Sequence, residues 1–177
     1  EVKTLRERIA LFCTKCAIEQ WGYKLSKSWL EEMSDGVIAL STGAAGDVGQ
    51  ALVGDKEALA LDRARYWMAL YPQRFYLELH RTGRDGDEAH LHAAVKLAQD
   101  LQCPVVATND VRFLAAQEFE AHEARVCIRE VRTLDDPRRA RNYTEQQYLR
   151  SSEEMAELFA DIPEALRLKN KLNLPEP

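Results

Sequence analysis

An α/β fold with a parallel sheet is what this sequence predicts, and three observations carry the prediction. The stretch Pro104-Val-Val-Ala-Thr-Asn-Asp-Val-Arg-Phe113 holds a short β-branched run, Val105 to Ala107, that stops abruptly at Thr108, Asn109 and Asp110. A run that short, opened by proline, reads as a strand buried on both faces. Phe75-Tyr-Leu-Glu-Leu79 is a second strand-like run. The order strand, helix, strand, helix, strand, helix then gives the signature of a parallel sheet with right-handed crossovers. In such sheets the polar residues just past a strand's carboxyl end hold ligands and metals. Asp110 and Arg112 therefore stand where chemistry is expected.

Taken in order, residues 3–20 place Leu5, Ile9, Phe12, Cys13 and Cys16 on one face of an amphipathic helix. Cys13-Thr-Lys-Cys16 is formally C-x-x-C, but no second ligand pair follows at a zinc spacing. A redox pair belongs at a strand-to-helix turn, so these cysteines read as structural. Ser28-Trp-Leu-Glu31 is a capping box for a short helix through Met33, which Asp35-Gly36 breaks. Val37-Ile-Ala-Leu40 is the first strand. Gly43, Gly46 and Gly49 follow it in a pattern that is neither G-x-G-x-x-G nor a Walker loop, so a tight strand-to-helix turn is the reading.

Lys56 to Leu70 is helical, and Tyr71-Pro72 ends it. The strand at Phe75 alternates enough to point Glu78 away from Leu77 and Leu79, with His80, Arg81, Thr82 and Gly83 at its carboxyl end. Asp85-Gly-Asp87 opens a helix through Leu101, with Leu91, Ala94, Val95, Ala98 and Leu101 inward. His90 and His92 lie two apart on different faces, cannot form an i, i+4 metal pair, and are expected at or near the surface. Phe119 to Val131 is the next helix, carrying His122 and Cys127. Arg138, Arg139 and Arg141 in the following loop are phosphate-contact candidates, with a solvated loop the favoured reading. Thr144-Glu-Gln-Gln147, Ser151-Ser-Glu-Glu154 and Asp161-Ile-Pro-Glu164 each fit a capping box and predict a tail of short helices.

A chain of 177 residues is long enough for one core and too short for two complete domains. Its net charge of -5 argues against a dedicated nucleic-acid clamp. No apolar run approaches the roughly 20 residues of a membrane span, and no signal-peptide segment opens the chain. Four cysteines give no disulfide framework, so a reducing cytoplasm is expected.

Four motifs, in order, carry a resemblance. Phe75-Tyr-Leu-Glu-Leu-His-Arg-Thr-Gly83, the 104–113 stretch, Glu120-Ala-His-Glu-Ala-Arg125 and Arg141-Asn-Tyr-Thr-Glu-Gln-Gln-Tyr148 are similar to the PHP (polymerase and histidinol phosphatase) domain of the bacterial replicative DNA polymerase III alpha subunit. Leu158-Phe-Ala-Asp-Ile-Pro-Glu-Ala165 is similar to that subunit just beyond the domain. The resemblance runs from about Gly36 to Leu166. It divides the chain into a helical segment 1–35 of uncertain origin, a PHP-like α/β region 36–143 and a helical tail 144–177. It implies part of a distorted (β/α)7 barrel with a metal cluster at the carboxyl ends of its strands.

Metal-bearing members take ligands from an N-terminal His-x-His motif and from histidines after later strands. This sequence lacks the opening motif, carries Thr82 where such members have histidine, and reads Asn109-Asp110-Val111-Arg112 where they read Asn-Asp-x-His. A guanidinium is always protonated and cannot ligate a metal. Arg112 is instead expected to be a buried arginine that pairs with Asp110 or a nearby acid and substitutes a fixed charge for the ion's. Glu78, Thr82, Asp110 and Arg112 are therefore read as positions of a vestigial metal site, with no catalytic residue and no cofactor. The chain also has no room for a polymerase palm.

The resemblance implies a scaffold and docking module of the replicase alpha subunit. Its partners would be the proofreading exonuclease subunit, the rest of the alpha subunit, and DNA through the parent polymerase, with no membrane. An exposed strand edge makes self-association a further expectation. The alternative is a metal-dependent phosphoesterase with zinc, manganese or magnesium on His80, Asp110 and His122.

Overall fold

The computed structural model describes residues 30–31 and 34–167. The helix expected over residues 3–20 and the Ser28 cap lie outside the described residues. Three parallel strands form the sheet in the order β1 (Ala39–Leu40), β2 (Phe75–His80), β3 (Val105–Thr108). Ala39 and Leu40 pair with Phe75 and Tyr76, while Leu77 to His80 pair with Val105 to Thr108. The central strand β2 is buried at every position but Glu78, as a strand flanked on both sides should be. The first strand is shorter than the run 37–40 that predicted it. Ile38 and Leu40 remain exposed, because among the described residues β1 lies at an edge and pairs only with the start of β2.

Among the described residues five complete helices accompany the sheet: α1 (Asp47–Val53), α2 (Glu57–Leu70), α3 (Asp87–Leu101), α4 (Phe119–Glu130) and α5 (Ser152–Leu158). Short 3-10 turns precede α1 and α4, and a third, Pro163–Leu166, closes the described chain. The glycine-rich turn after β1 exists for close approach. A Cβ on Gly49 would lie 2.0 Å from the Gly43 carbonyl oxygen, and one on Gly43, at φ +54°, would lie 2.5 Å from the His80 ring. No side chain fits at either position.

Two apolar clusters hold the layers together. One gathers Val48, Ala51, Ala60, Ala64, Tyr71, Phe75, Leu77, Leu97 and Ala98 from α1, α2, α3 and β2. Trp67 stacks on Tyr71 and Phe75 at its margin and donates its indole N–H to Asp47 at 3.0 Å, which ties α2 to the start of α1. The other cluster sets Leu79, Leu91 and Ala94 against Phe159 and Ala165. The C-terminal segment is thus core material.

Helix α5 starts on a complete capping box: Glu154 N–H donates to Ser151 Oγ at 3.2 Å, and Ser151 N–H donates to Glu154 Oε2 at 2.7 Å. The box at Thr144 is a correction. Thr144 N–H does donate to Gln147 Oε1 at 3.0 Å, yet no helix follows. Tyr148 instead bridges in parallel to Phe113, which pulls the backbone into an extended path. His90 is a second correction, since it is 4% exposed where the helix pattern predicted a surface position.

Candidate functional site

The carboxyl ends of β2 and β3 open into a cleft of 360 Å³ lined by Thr42, His80, Arg84, Asp87, Asp110 and Arg112, among others. The strand ends bring these residues together because the parallel register aligns His80 with Thr108. Arg84, four positions past the end of β2, then meets Asp110, two past the end of β3. Asp110 stands in the left-handed region at φ 41°, a conformation that aspartate tolerates better than most residues. Gln147 holds it there, donating from Nε2 to the Asp110 carbonyl at 3.2 Å and to Oδ2 at 2.9 Å.

Both oxygens of Asp110 face guanidinium groups. Arg84 Nη1 lies 2.9 Å from Oδ2, and Arg112 Nη2 lies 2.7 Å from Oδ1. The pairing expected between Asp110 and Arg112 is present. The expectation that Arg112 is buried is corrected: its side chain is 42% exposed, while that of Arg84 is 26% exposed. Arg112 leans over the Tyr143 ring at 5.4 Å instead of entering the core. Arg84 was missed in the sequence because its role depends on a turn, closed by Gly86 at φ +85°, that folds it back over the strand ends. It reaches His80 Nδ1 at 3.4 Å and Asp87 at 3.6 Å as well.

Beneath this clamp runs a polar chain across all three strands. Ser41 Oγ accepts from Glu78 N–H at 2.9 Å, and Thr108 Oγ1 donates to Glu78 Oε1 at 2.6 Å. The same oxygen is 3.5 Å from His80 Nε2, an atom that is buried and makes no hydrogen bond. Burial pushes the Glu78 carboxyl up. The His80 ring and the Thr108 hydroxyl outweigh it and hold the group below the usual carboxylate range. Burial pushes the His90 imidazole down, and neighbouring His80 adds to the effect.

Thr82 is completely buried. Its N–H and hydroxyl both donate to Asp87 Oδ2 at 2.8 Å, and its carbonyl accepts from the Thr144 hydroxyl. Thr82 therefore spends its polar groups on joining β2 to α3 and to the 144–147 turn. Asn109 does the same for the tail, donating from Nδ2 to the carbonyls of Gln146 and Tyr148 at 2.7 Å each.

Among the described residues no three His, Cys, Asp or Glu side chains group as ligands. His122 sits edge-on to Tyr143 at 4.6 Å and beside Phe113 at 5.5 Å. It forms no ligand cluster with His80 and Asp110. Burial, with Arg125 close by, pushes the His122 imidazole down.

The three arginines of the 133–143 loop differ in their surroundings. Arg139 pairs with Glu123 of α4, both side chains 7% exposed. Arg138 binds Asp136 at 2.9 Å from an exposed position, and the hydrogen bonds it gives pull the Asp136 carboxyl down to about 2. Arg141 is exposed.

With this geometry in view, the relationships of the chain are informative. The PHP domain family matches residues 8–82, which takes in Glu78, His80 and Thr82 and begins well before Gly36. The chain is 56% identical over 142 residues to the DNA polymerase III subunit alpha of Pseudomonas aeruginosa, covering 80% of this chain and 12% of that protein. The DNA polymerase III subunit alpha of Escherichia coli K12 is 54% identical over the same length and coverage, and that of Haemophilus influenzae 49%. The chain thus spans about 12% of the length of the curated relatives it matches. It belongs to the PHP-domain family, in the branch found in DNA polymerase III alpha subunits.

Proposed function

We propose that this chain is a structural and docking module of a replicative DNA polymerase III alpha-type subunit, with guanidinium groups in the place of the family's metal. One observation carries the reading: Asp110 is gripped on both oxygens by Arg84 and Arg112, so two fixed cations neutralise the carboxylate that an ion would otherwise hold. Such a clamp links β2, β3 and the 144–147 turn without supplying the water activation that phosphoester hydrolysis requires. On this reading the chain contributes part of a larger (β/α)7 barrel and acts in DNA replication in the cytoplasm. The family likeness supports the proofreading exonuclease subunit and the rest of the alpha subunit as partners, with DNA engaged through the parent polymerase.

The test is metal content and hydrolysis on the purified protein. Zinc and manganese are expected well below one equivalent, with no turnover of a generic phosphomonoester. Arg112→His should leave both results unchanged, because it adds one ligand where several are needed. One equivalent of metal in the unmodified protein would overturn the reading in favour of a phosphoesterase.

A further inference from the structure

We infer that the outer side of α4, with the Arg112–Tyr143 pair beside it, is a contact surface for single-stranded DNA. His122, Arg125 and Arg129 recur at steps of three and four, so they share one side of the helix. Arg125 and Arg129 are exposed, and neither makes an ion pair among the described residues. The acids of the helix leave this side positive. Glu123 is buried and paired with Arg139. Glu120 and Glu130 stand five positions either side of Arg125, more than a third of a turn away around the axis. Glu118, just before the helix, turns its Oε2 to the N–H groups of Leu114 and Ala115.

An aromatic platform adjoins this positive stripe. His122 sits edge-on to Tyr143 at 4.6 Å. The Arg112 guanidinium lies 5.4 Å above the Tyr143 ring, on a side chain that is 42% exposed. Arg141 is exposed two residues before Tyr143 and makes no ion pair among the described residues. The stripe and the platform meet at His122, whose imidazole is pushed down by burial and then by Arg125.

Cations free to meet phosphates, set beside a ring and a guanidinium on which a base can stack, are what sequence-tolerant single-strand binding uses. A duplex would offer the same phosphates while keeping its base faces closed. With a net charge of -5 on the whole chain, this is a local patch of low affinity, one contact among those of a larger subunit. The inference deepens the engagement of DNA proposed above and rests on that reading.

Fluorescence anisotropy of a labelled oligothymidine of about 16 nucleotides, titrated with the 177-residue protein at salt concentrations from about 50 mM upward, tests the inference. Weak binding is expected, with log Kd linear in log salt. Arg125→Ala combined with Arg129→Ala should weaken it about tenfold and flatten the slope by about 1.4, from two contacts at about 0.7 each. Tyr143→Leu keeps apolar bulk but removes the ring, so it should weaken binding severalfold at an unchanged slope. Tyr143→Phe, which keeps the ring, should bind as the parent does. Arg65→Ala, exposed on α2, should change nothing. Circular dichroism melts confirm that each variant stays folded. Absence of binding at about 50 mM salt overturns the inference. So does an Arg65→Ala protein as weak as the double variant, a Tyr143→Leu protein that binds like the parent, or equal affinity for the oligothymidine paired with its complement. None of these outcomes bears on metal content, so a failure here and a failure of the clamp reading are told apart.

Discussion

Two arginine–carboxylate groups in this protein invite comparison: the clamp on Asp110 at the strand ends, and the Glu123–Arg139 pair under α4. The first is shared among three donors, Arg84, Arg112 and Gln147, and is partly open to water. The second is a single pair with both side chains 7% exposed. Redundancy and exposure protect the clamp, because losing one donor leaves the carboxylate with others and with solvent. The α4 pair has no such reserve. The carboxylate at the strand ends is therefore expected to matter less to stability than the one under α4.

The largest expected effect breaks the pair under α4. Removing one partner of a buried ion pair strands the other charge, which is among the costlier single changes a domain can suffer. Arg139→Ala should lower the urea midpoint by roughly 1 M at an unchanged slope. Replacing both members with apolar residues, Glu123→Leu with Arg139→Met, should recover much of that loss, because no buried charge is left behind. A midpoint within error of the unmodified protein for Arg139→Ala would put that pair on a level with a surface contact.

Within the clamp the two arginines should separate. Arg84→Ala removes the more buried guanidinium, with its contacts to Asp110, Asp87 and His80, and should cost about 1–3 kcal/mol. Arg112→Ala should cost about 0–1 kcal/mol, the range of an exposed pair. Urea titrations of the two variants side by side sharpen the contrast. A larger loss from Arg112 would show that its position over Tyr143 matters more than exposure suggests.

The smallest effect lies at Arg81, which donates from Nη1 to Asp161 at 2.6 Å and to the Leu158 carbonyl at 2.7 Å. That hydrogen bonding pulls the Asp161 carboxyl down from 3.8 to about 2. Since the folded value is the lower one, the interaction stabilises fully above about pH 4 and fades as the pH falls towards 2. Asp161→Asn should therefore melt slightly earlier than the parent at neutral pH, with the two curves converging in acid. A gap that persists at pH 2 would mean the carboxylate charge is not the source.

The contrast also explains what the sequence revealed and what it concealed. Strands β2 and β3 were legible because a short β-branched run ending in polar residues has few other solutions. The helix over Asp87–Leu101 was legible because its apolar period is regular. Asp110 and Arg112 were legible from their place after a strand. Arg84, Gln147 and the burial of Arg139 were not, because each depends on a partner far along the chain. Arg84 meets Asp110 across 26 positions, and Gln147 meets it across 37. Local periodicity carries no information about such meetings. The unhelical turn at Thr144 has the same origin, since half of its capping box forms and the bridge to Phe113 then decides the path.

Phe159 is completely buried against Leu79 and Leu91, and Arg81 lies 5.1 Å above its ring while holding Asp161 across 80 positions. During synthesis, then, β2 leaves the ribosome long before the aromatic side chain that seals it. Until Phe159 emerges, Leu79 has only half its wall, and the nascent chain presents an open apolar face suited to chaperone capture. The first cluster, by contrast, can assemble from residues 48–103 as soon as they are made, because its members lie close in sequence. Folding should accordingly proceed in two stages, with the second waiting on a segment that reads in the sequence as a helical tail.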